Sequence, residues 1–421
     1  MRISNKHLLS VFIVITLISA IYYNSAFGNP ELKDNNLKVE LLVKGLSSPT
    51  SMSFIDSNNI LVLEKNNREV RLIYNNQLQE KPVLKLNVDN TTLTCCRGLL
   101  GIATKIQENS IGVFLYLSEI SKDNNQPEVR NKVYKFNWDG ENLVNPKVLL
   151  DLPAEPGPNH PSGKIVIGKD GYLYTAIGDL NNEGQLQNIK DGPQPSDSSV
   201  FLRINTIDGS AASNNPFVKL AKSYPDSQMA KYYGYGLRNS FGLAIDPVTG
   251  FLWDTENGDT DYDEINIVQP GFNSGWKKIM GPISESDLEL PDLVTFPGSH
   301  YMDPAFSWNP SLGVTDIEFL GSSKLGINYE NNVFIGDITK GNLYYFKLNH
   351  TRTGILFDDP NIQDDLIAND KELNDIILGT GFEGITDIVT GPEGYLYILT
   401  FDQEQDGDEK IYRVLPITRS I

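Results

Sequence analysis

The decapeptide DGYLYTAIGD, residues 170–179, joins a turn, a strand and a carboxylate in one short unit. Asp170-Gly171 is a turn pair, Tyr172–Ile177 is a run of strand-forming residues, and Gly178-Asp179 ends it. The same pattern returns five times: NNILVLEK (58–65), GVFLYLSE (112–119), TGFLWDTENGD (249–259), NNVFIGDI (331–338) and EGYLYILTFD (393–402). Several copies are followed, after a turn, by a partner strand: REVRLIY (68–74), NKVYKFNW (131–138), GNLYYFKL (341–348) and KIYRVLP (410–416). No long amphipathic helix interrupts the series. Six copies spaced by about 50–80 residues mark a repeat architecture. Strand–turn–strand units of this composition favour small antiparallel sheets, and radial repetition of such sheets makes a β-propeller. The expectation is an all-β, six-bladed propeller over residues 38–418. The Gly-, Pro- and Asn-rich stretches 180–235 and 275–310 read as large loops on one face, and 358–375 reads as an exposed acidic insertion.

Outside this frame, Arg2 and Lys6 precede the apolar run LLSVFIVITLISAIYY, and NSAFG follows with small residues. Residues 1–28 therefore read as a secretory signal, with an uncleaved membrane anchor as the alternative. Either places the rest of the chain outside the cytoplasm. The formal net charge is −19. A phosphate backbone needs a basic face, so nucleic acid is excluded as an expected partner. The two cysteines are adjacent, Cys95-Cys96, and cannot build a disulfide framework. A vicinal disulfide and a buried reduced pair both stay open. Asn90 and Asn349 head glycosylation sequons.

Four histidines occur, and His160 has the most informative context. It stands in GPNHPSGKIVIGKDGYLYTAIGD (157–179), at the end of a loop before a strand. Antiparallel pairing of 164–168 with 172–177 brings the hairpin's far ends together, so that Asp179 can orient the imidazole as a general base requires. A turn cap is the plain alternative for Asp179. Downstream, DTDYDE (259–264) alternates carboxylates beside Gly258, a density of hard oxygens that suits Ca²⁺. It is not an EF-hand loop, because Glu264 stands where the invariant glycine belongs. An acidic hairpin tip is the competing reading. Arg238 in LRNSFG precedes a strand and by itself reads as a surface or ion-pair residue.

Taken together, NHPSGKIVIGKDGYLYTAIGD, GLRNSFGLAIDPVTGFLWDTENGDTDYDEINIVQPGFNSGW, RGLLGIA, SWNPSLGVTDIEFLG, NNVFIGDITKGNLYYFKL and GITDIVTGPEGYLYIL occur in an order that resembles the soluble glucose/sorbosone (aldose sugar) dehydrogenase family. The resemblance runs from about residue 40 to 416 and implies a six-bladed propeller that binds pyrroloquinoline quinone and calcium. It implies His160 as the base toward the substrate hydroxyl, with Asp179 orienting it. Arg238 and calcium would polarise the quinone, with Asn239 holding it. The family's calcium contacts map onto the carbonyls of Gly258 and Asp259, beside Asp263 and Glu264. The sugar is then the partner, together with an unidentified electron acceptor. Departures are specific. Gly384 and Thr386 occupy arginine positions, and Thr339 occupies a lysine position with Lys340 next to it. Cys96 replaces a polar cofactor contact, with Arg97 adjacent. Asp259 stands where the family has proline. These departures keep two other readings in view: a cofactor-free binding propeller and a calcium-dependent lactonase-like hydrolase.

Overall fold

The computed structural model describes residues 29–89, 96–123, 126–357, 362, 366–367, 370–402 and 406–417. The apolar N-terminal segment, the sequon at 90–92 and Cys95 lie outside the described residues.

The described chain is an all-β propeller whose principal strands form six sheets. The first sheet is built on Pro49–Phe54, Asn59–Glu64 and Glu69–Tyr74, and the second on Leu99–Gln107, Ser110–Asp123, Gln126–Trp138 and Leu143–Leu152. The third contains Ile165–Ile167, Tyr172–Ile177, Val200–Asn205 and Tyr232–Tyr235. Ser240–Ile245, Leu252–Glu256, Asp263–Val268 and Phe306–Trp308 make the fourth, and Val314–Phe319, Val333–Asp337, Leu343–Leu348 and Ile377–Thr380 the fifth. The sixth joins the two ends of the chain. Gly384–Thr390, Leu396–Phe401 and Glu409–Pro416 are completed by the N-terminal strand Leu37–Leu46, which runs antiparallel to Glu409–Pro416.

The opening strand of each sheet touches that of the next, and the sixth touches the first, so the ring is closed. Six hydrophobic clusters fill the six gaps between neighbouring sheets. This explains why the repeated strands read as continuous apolar runs. A middle strand such as Asn59–Glu64 is covered on both faces, and its residues from Ile60 to Glu64 are all buried.

Three stretches expected as loops or insertions carry more structure than their composition implied. Within 180–235, Val200–Asn205 and Tyr232–Tyr235 are strands of the third sheet. Within 275–310, His300–Tyr301 extends the third sheet through Phe272–Asn273, and Phe306–Trp308 is the outer strand of the fourth. In the acidic 358–375 stretch, Leu366–Ile367 pairs with Ser307–Trp308, and Ile362 and Leu373, with Ile376 just after it, are buried in the core between the fourth and fifth sheets. The apolar residues spaced among the acids anchor this segment, so it is not simply an exposed insertion.

Candidate active site

The hairpin around DGYLYTAIGD sets the centre of the site. Ile165 pairs with Thr175 and Ile167 with Leu173, so His160 and Asp179 meet at the open end. His160 Nδ1 lies 2.7 Å from Asp179 Oδ1. Gly178 permits this approach: a Cβ there would strike the backbone oxygens of His160 and Arg238. Asp179 is fixed on every side. Its N–H donates to the Arg238 carbonyl at 2.8 Å, Oδ1 also accepts from the Asn181 N–H at 2.9 Å, and Oδ2 accepts from Trp276 Nε1 at 2.8 Å. A carboxylate only accepts, so the hydrogen sits on Nδ1 and the lone pair on Nε2.

Arg238 stands beside this pair, with its guanidinium carbon 5.5 Å from the centroid of the Trp276 ring. Its N–H donates to Glu256 Oε1 at 2.6 Å. The guanidinium donates to the carbonyls of Asn257 (3.1 Å) and Gly258 (2.6 Å) and to Asp259 Oδ1 (3.0 Å). Asn239 donates to Asn257 Oδ1 at 3.2 Å. Under Arg238, Glu256 is fully buried, and burial pushes its carboxyl up to about 7. Burial, with mutual repulsion added, also raises the carboxyls of Asp254 and Glu264 well above the usual range.

A cavity of about 340 Å³ opens next to the pair, at the end of the channel where the sheets converge. Pro161 and Ser162, directly after His160, line it, and so does Asn239. Leu100, Phe241, Ile338 and Phe401 give it apolar walls, while Lys65, Asn66, Thr386 and Cys96 add polar or polarisable groups. Cys96 is disulfide-bonded. Lys164 closes the floor: its ammonium reaches Asp316 Oδ2 at 2.7 Å and also binds Asp387. Burial pulls the Lys164 pKa down, but the two carboxylates outweigh it and hold the ammonium above the usual lysine range. This ion triad ties the third sheet to the fifth and sixth.

Not every residue singled out from the sequence faces the cavity. Asn239, Cys96 and Thr386 line it; His160, Asp179, Arg238 and the 258–264 loop stand beside it without lining it, and Arg97, Lys340 and Thr339 are not among the lining residues either. Arg97 is buried against Asp89, the Ala154 carbonyl and Glu155. At Lys340 the backbone N–H caps Asp337, at 2.5 Å. Arg97 and Lys340 were neighbours of family positions, and adjacency does not set side-chain direction; Thr339 holds a lysine position but is too short a side chain to do a lysine's reaching. The oxygens read as calcium ligands also divide. Asp263 clasps the loop into the fifth sheet, accepting from Gly258 N–H (3.0 Å), Ser311 Oγ (2.6 Å) and the N–H groups of Leu312, Gly313 and Val314 (2.8, 2.6 and 3.1 Å). Glu264 is buried and accepts from the Gly281 N–H and Asn266. Both carboxylates are committed to protein donors. Gly258 O and the exposed Asp259 carboxylate retain lone pairs beside Arg238. Among the described residues no group of three or more His, Cys, Asp or Glu side chains is placed to hold a metal ion.

Lys65, Lys164 and Trp276 were not anticipated. One signal was available for Lys65: the second strand of each sheet ends on this face, so Lys65, Asp179, Ile338 and Phe401 occupy related places in the repeat.

The class of molecule is thus a propeller with a His–Asp pair next to a cavity lined by the residues that directly follow the histidine. The chain belongs to the Glucose / Sorbosone dehydrogenase family, whose profile matches residues 46–413, and the family is one of oxidoreductases. The aldose sugar dehydrogenase of Escherichia coli is 29% identical over 253 residues, 60% of each chain. Quinoprotein glucose dehydrogenase B of Acinetobacter calcoaceticus is 26% identical over 306 residues, 66% of this chain and 61% of that one. The alignments thus span about three fifths of the length of these two relatives. In fold, the soluble aldose sugar dehydrogenase of E. coli in its apo form superposes with a TM-score of 0.68 at 23% identity, over 90% of this chain and all of that one. The PQQ-bound aldose sugar dehydrogenase of Streptomyces coelicolor superposes with a TM-score of 0.65 at 21% identity, over 92% of this chain and 99% of that one.

Proposed function

We propose that this protein is an exported sugar dehydrogenase, a six-bladed propeller with one blade per sheet, that oxidises an aldose or related alcohol with pyrroloquinoline quinone and passes the electrons to a separate acceptor. The observation that carries the reading is the His160–Asp179 pair, fixed by Trp276 and set beside both Arg238 and the cavity.

The cavity fits the quinone in chemical character. A planar aromatic group suits the apolar walls of Leu100, Phe241, Ile338 and Phe401, while Lys65, Asn66, Asn239 and Thr386 offer donors to its oxygens. When bound, the quinone supplies the acceptor for the hydride. His160 Nε2 takes the proton of the sugar hydroxyl, which makes the carbon a better hydride donor. Asp179 keeps the base in the competent tautomer and stabilises the imidazolium. Trp276 prevents the carboxylate from rotating away. Arg238 presents positive charge that is already oriented by the Asn257 and Gly258 carbonyls. The apolar walls keep water from the reacting carbon.

Calcium fits only in part. A hard cation takes about six to eight oxygens. Gly258 and Asp259 can offer theirs, whereas Asp263 and Glu264 are occupied. A calcium ion here would be held by Gly258 and Asp259 and would need the rest of its oxygens from outside the protein.

A cofactor-free binding propeller is the second reading. It is favoured by Gly384, where a Cβ would lie 2.8–2.9 Å from Ile338 and from the carbonyls of Ile338 and Phe401, so no cation can be placed there. Reconstitution of the purified protein with the quinone and Ca²⁺ separates the two. Tight quinone binding and dye reduction with a panel of aldoses are expected. A protein that takes up no quinone at micromolar concentration overturns the dehydrogenase reading.

A further inference from the structure

We infer that Lys65 is a ligand-anchoring residue of this cavity, holding an anionic carboxylate of a planar aromatic ligand from the first sheet. The inference deepens the quinone reading and rests on it for the identity of that ligand.

Two cations line the cavity, Lys65 and Lys164. The charge of Lys164 is matched by two carboxylates, Asp316 and Asp387, and its role is to join sheets. Arg238, nearby, is bound to Asp259 and two carbonyls. On the sixth sheet, Gly384 has no room for a side chain and Thr386 is short and neutral. Positive charge at that end of the cavity therefore comes from the first sheet, which is the neighbour of the sixth around the ring.

The local structure aims Lys65 at this task. Glu64, fully buried, ends the middle strand and fixes the turn after it. It accepts from the Ser47 N–H at 3.0 Å, Asn67 Nδ2 at 2.9 Å and Arg71 Nη1 at 2.9 Å. The Lys65 N–H then donates to the Ser48 carbonyl at 3.1 Å, so the backbone is set on both sides of Cα. From there the stem crosses the backbone of Gly98 in the second sheet's entry. A Cβ on Gly98 would lie 2.6 Å from Lys65 Cγ and 3.3 Å from Cδ and Cε, and φ at Gly98 is +145°. Only glycine leaves this lane open. Beyond it the side chain reaches the cavity alongside Ser48, Asn66 and Thr386. Burial holds the ammonium below the usual lysine range, so an anion there meets a charge that water screens weakly. A half-buried ammonium with amide and hydroxyl groups around it is the chemistry that recognises a carboxylate.

The test is a titration of pyrroloquinoline quinone into wild type, Lys65→Met, Lys65→Gln and Lys65→Arg, read by calorimetry and by the thermal midpoint of the ligand-free protein. Both uncharged variants are expected to lose at least tenfold in affinity, with a weaker dependence on salt. Lys65→Arg is expected to stay within about fivefold of wild type, and all ligand-free midpoints within a few degrees. Wild-type affinity in both uncharged variants overturns the inference. Should the wild type bind no quinone, the quinone reading falls, and pyridine-2,4-dicarboxylate becomes the probe. Binding that Lys65→Gln abolishes then supports Lys65 as the anchor; equal binding, or none by the wild type, overturns it.

Discussion

The candidate site has two sides built on opposite principles, a polar one beside the cavity and an apolar one that lines it. On the side of the third and fourth sheets, polar groups are wired together: His160 to Asp179, Asp179 to Trp276, Trp276 against Arg238, and Arg238 to the carbonyls of Asn257 and Gly258. On the side of the fifth and sixth sheets, Ile338 and Phe401 present apolar surface, and the polar Thr386 makes only a 3.4 Å contact to the Leu399 carbonyl. The wired wall can hold a base in one tautomer and a cation in one orientation. The smooth wall can only shape a slot. Chemistry therefore belongs to the first, and ligand fit to the second.

The largest effect should come from breaking the wired wall at its reacting end. His160→Gln is expected to lower dye-reduction turnover by about 10³-fold or more, with quinone affinity within about threefold of wild type. Near-normal turnover would remove His160 from the base role. Asp179→Asn leaves the shape but loses the acceptor that sets the tautomer. A fall of roughly 10- to 100-fold in kcat with little change in KM is expected in steady-state assays.

Adding polarity to the smooth wall sharpens the comparison from the other side. Gly384→Arg puts a cation at a position where the family has one, yet its Cβ meets the Ile338 side chain and the carbonyls of residues 338 and 401. Destabilisation of about 2 kcal/mol or more in denaturant unfolding is expected, with no gain in quinone affinity. A stable variant with tighter binding would show that this wall can be rewired. A smaller effect is expected from chelation. Removing calcium should weaken quinone binding several-fold in calorimetry, because Gly258 and Asp259 offer a cation only part of its shell. Identical affinity with and without chelator would show that no cation takes part.

The smallest effect concerns the carboxylates beneath Arg238. Burial raises Glu256 to about 7, and Asp254 and Glu264 are also raised. The folded state then binds more protons than the unfolded state between the ordinary carboxylate range and about pH 7. The stability this contributes is present at low pH and lost as pH rises through 7. The thermal midpoint should therefore fall between pH 5 and 8. Asp254→Asn should flatten that slope and raise the midpoint at pH 8 by on the order of 2 °C. A wild-type midpoint that climbs over this range contradicts the assignment. In the Lys164–Asp316–Asp387 triad an ammonium opposes the same effect, yet burial still raises the Asp316 carboxyl well above the usual range, so this acid adds to the slope.

What could be read from the sequence was local or repeated. The turn–strand unit at 170–179 and its copies specified small antiparallel sheets, because strand composition and turn residues act over a few positions. The His160–Asp179 contact was equally accessible, since a single hairpin spans the nineteen positions that separate them. Cys96, Asn239 and Thr386 reached the cavity as the resemblance implied, but Arg97, Lys340 and Thr339 did not, because Arg97 is drawn to Asp89 and the Ala154 carbonyl and the chain bends through 338–340 after its strand ends at Asp337. Only the closed ring decided the rest. It carries Trp276 to Asp179 across 97 positions and Lys164 to Asp387 across 223, and it lays the Lys65 stem over Gly98 from the adjoining sheet. Those contacts depend on how six sheets stack around a common axis, and the free energy that fixes the stacking is the burial of six inter-sheet cores, a property that no single stretch of the chain possesses.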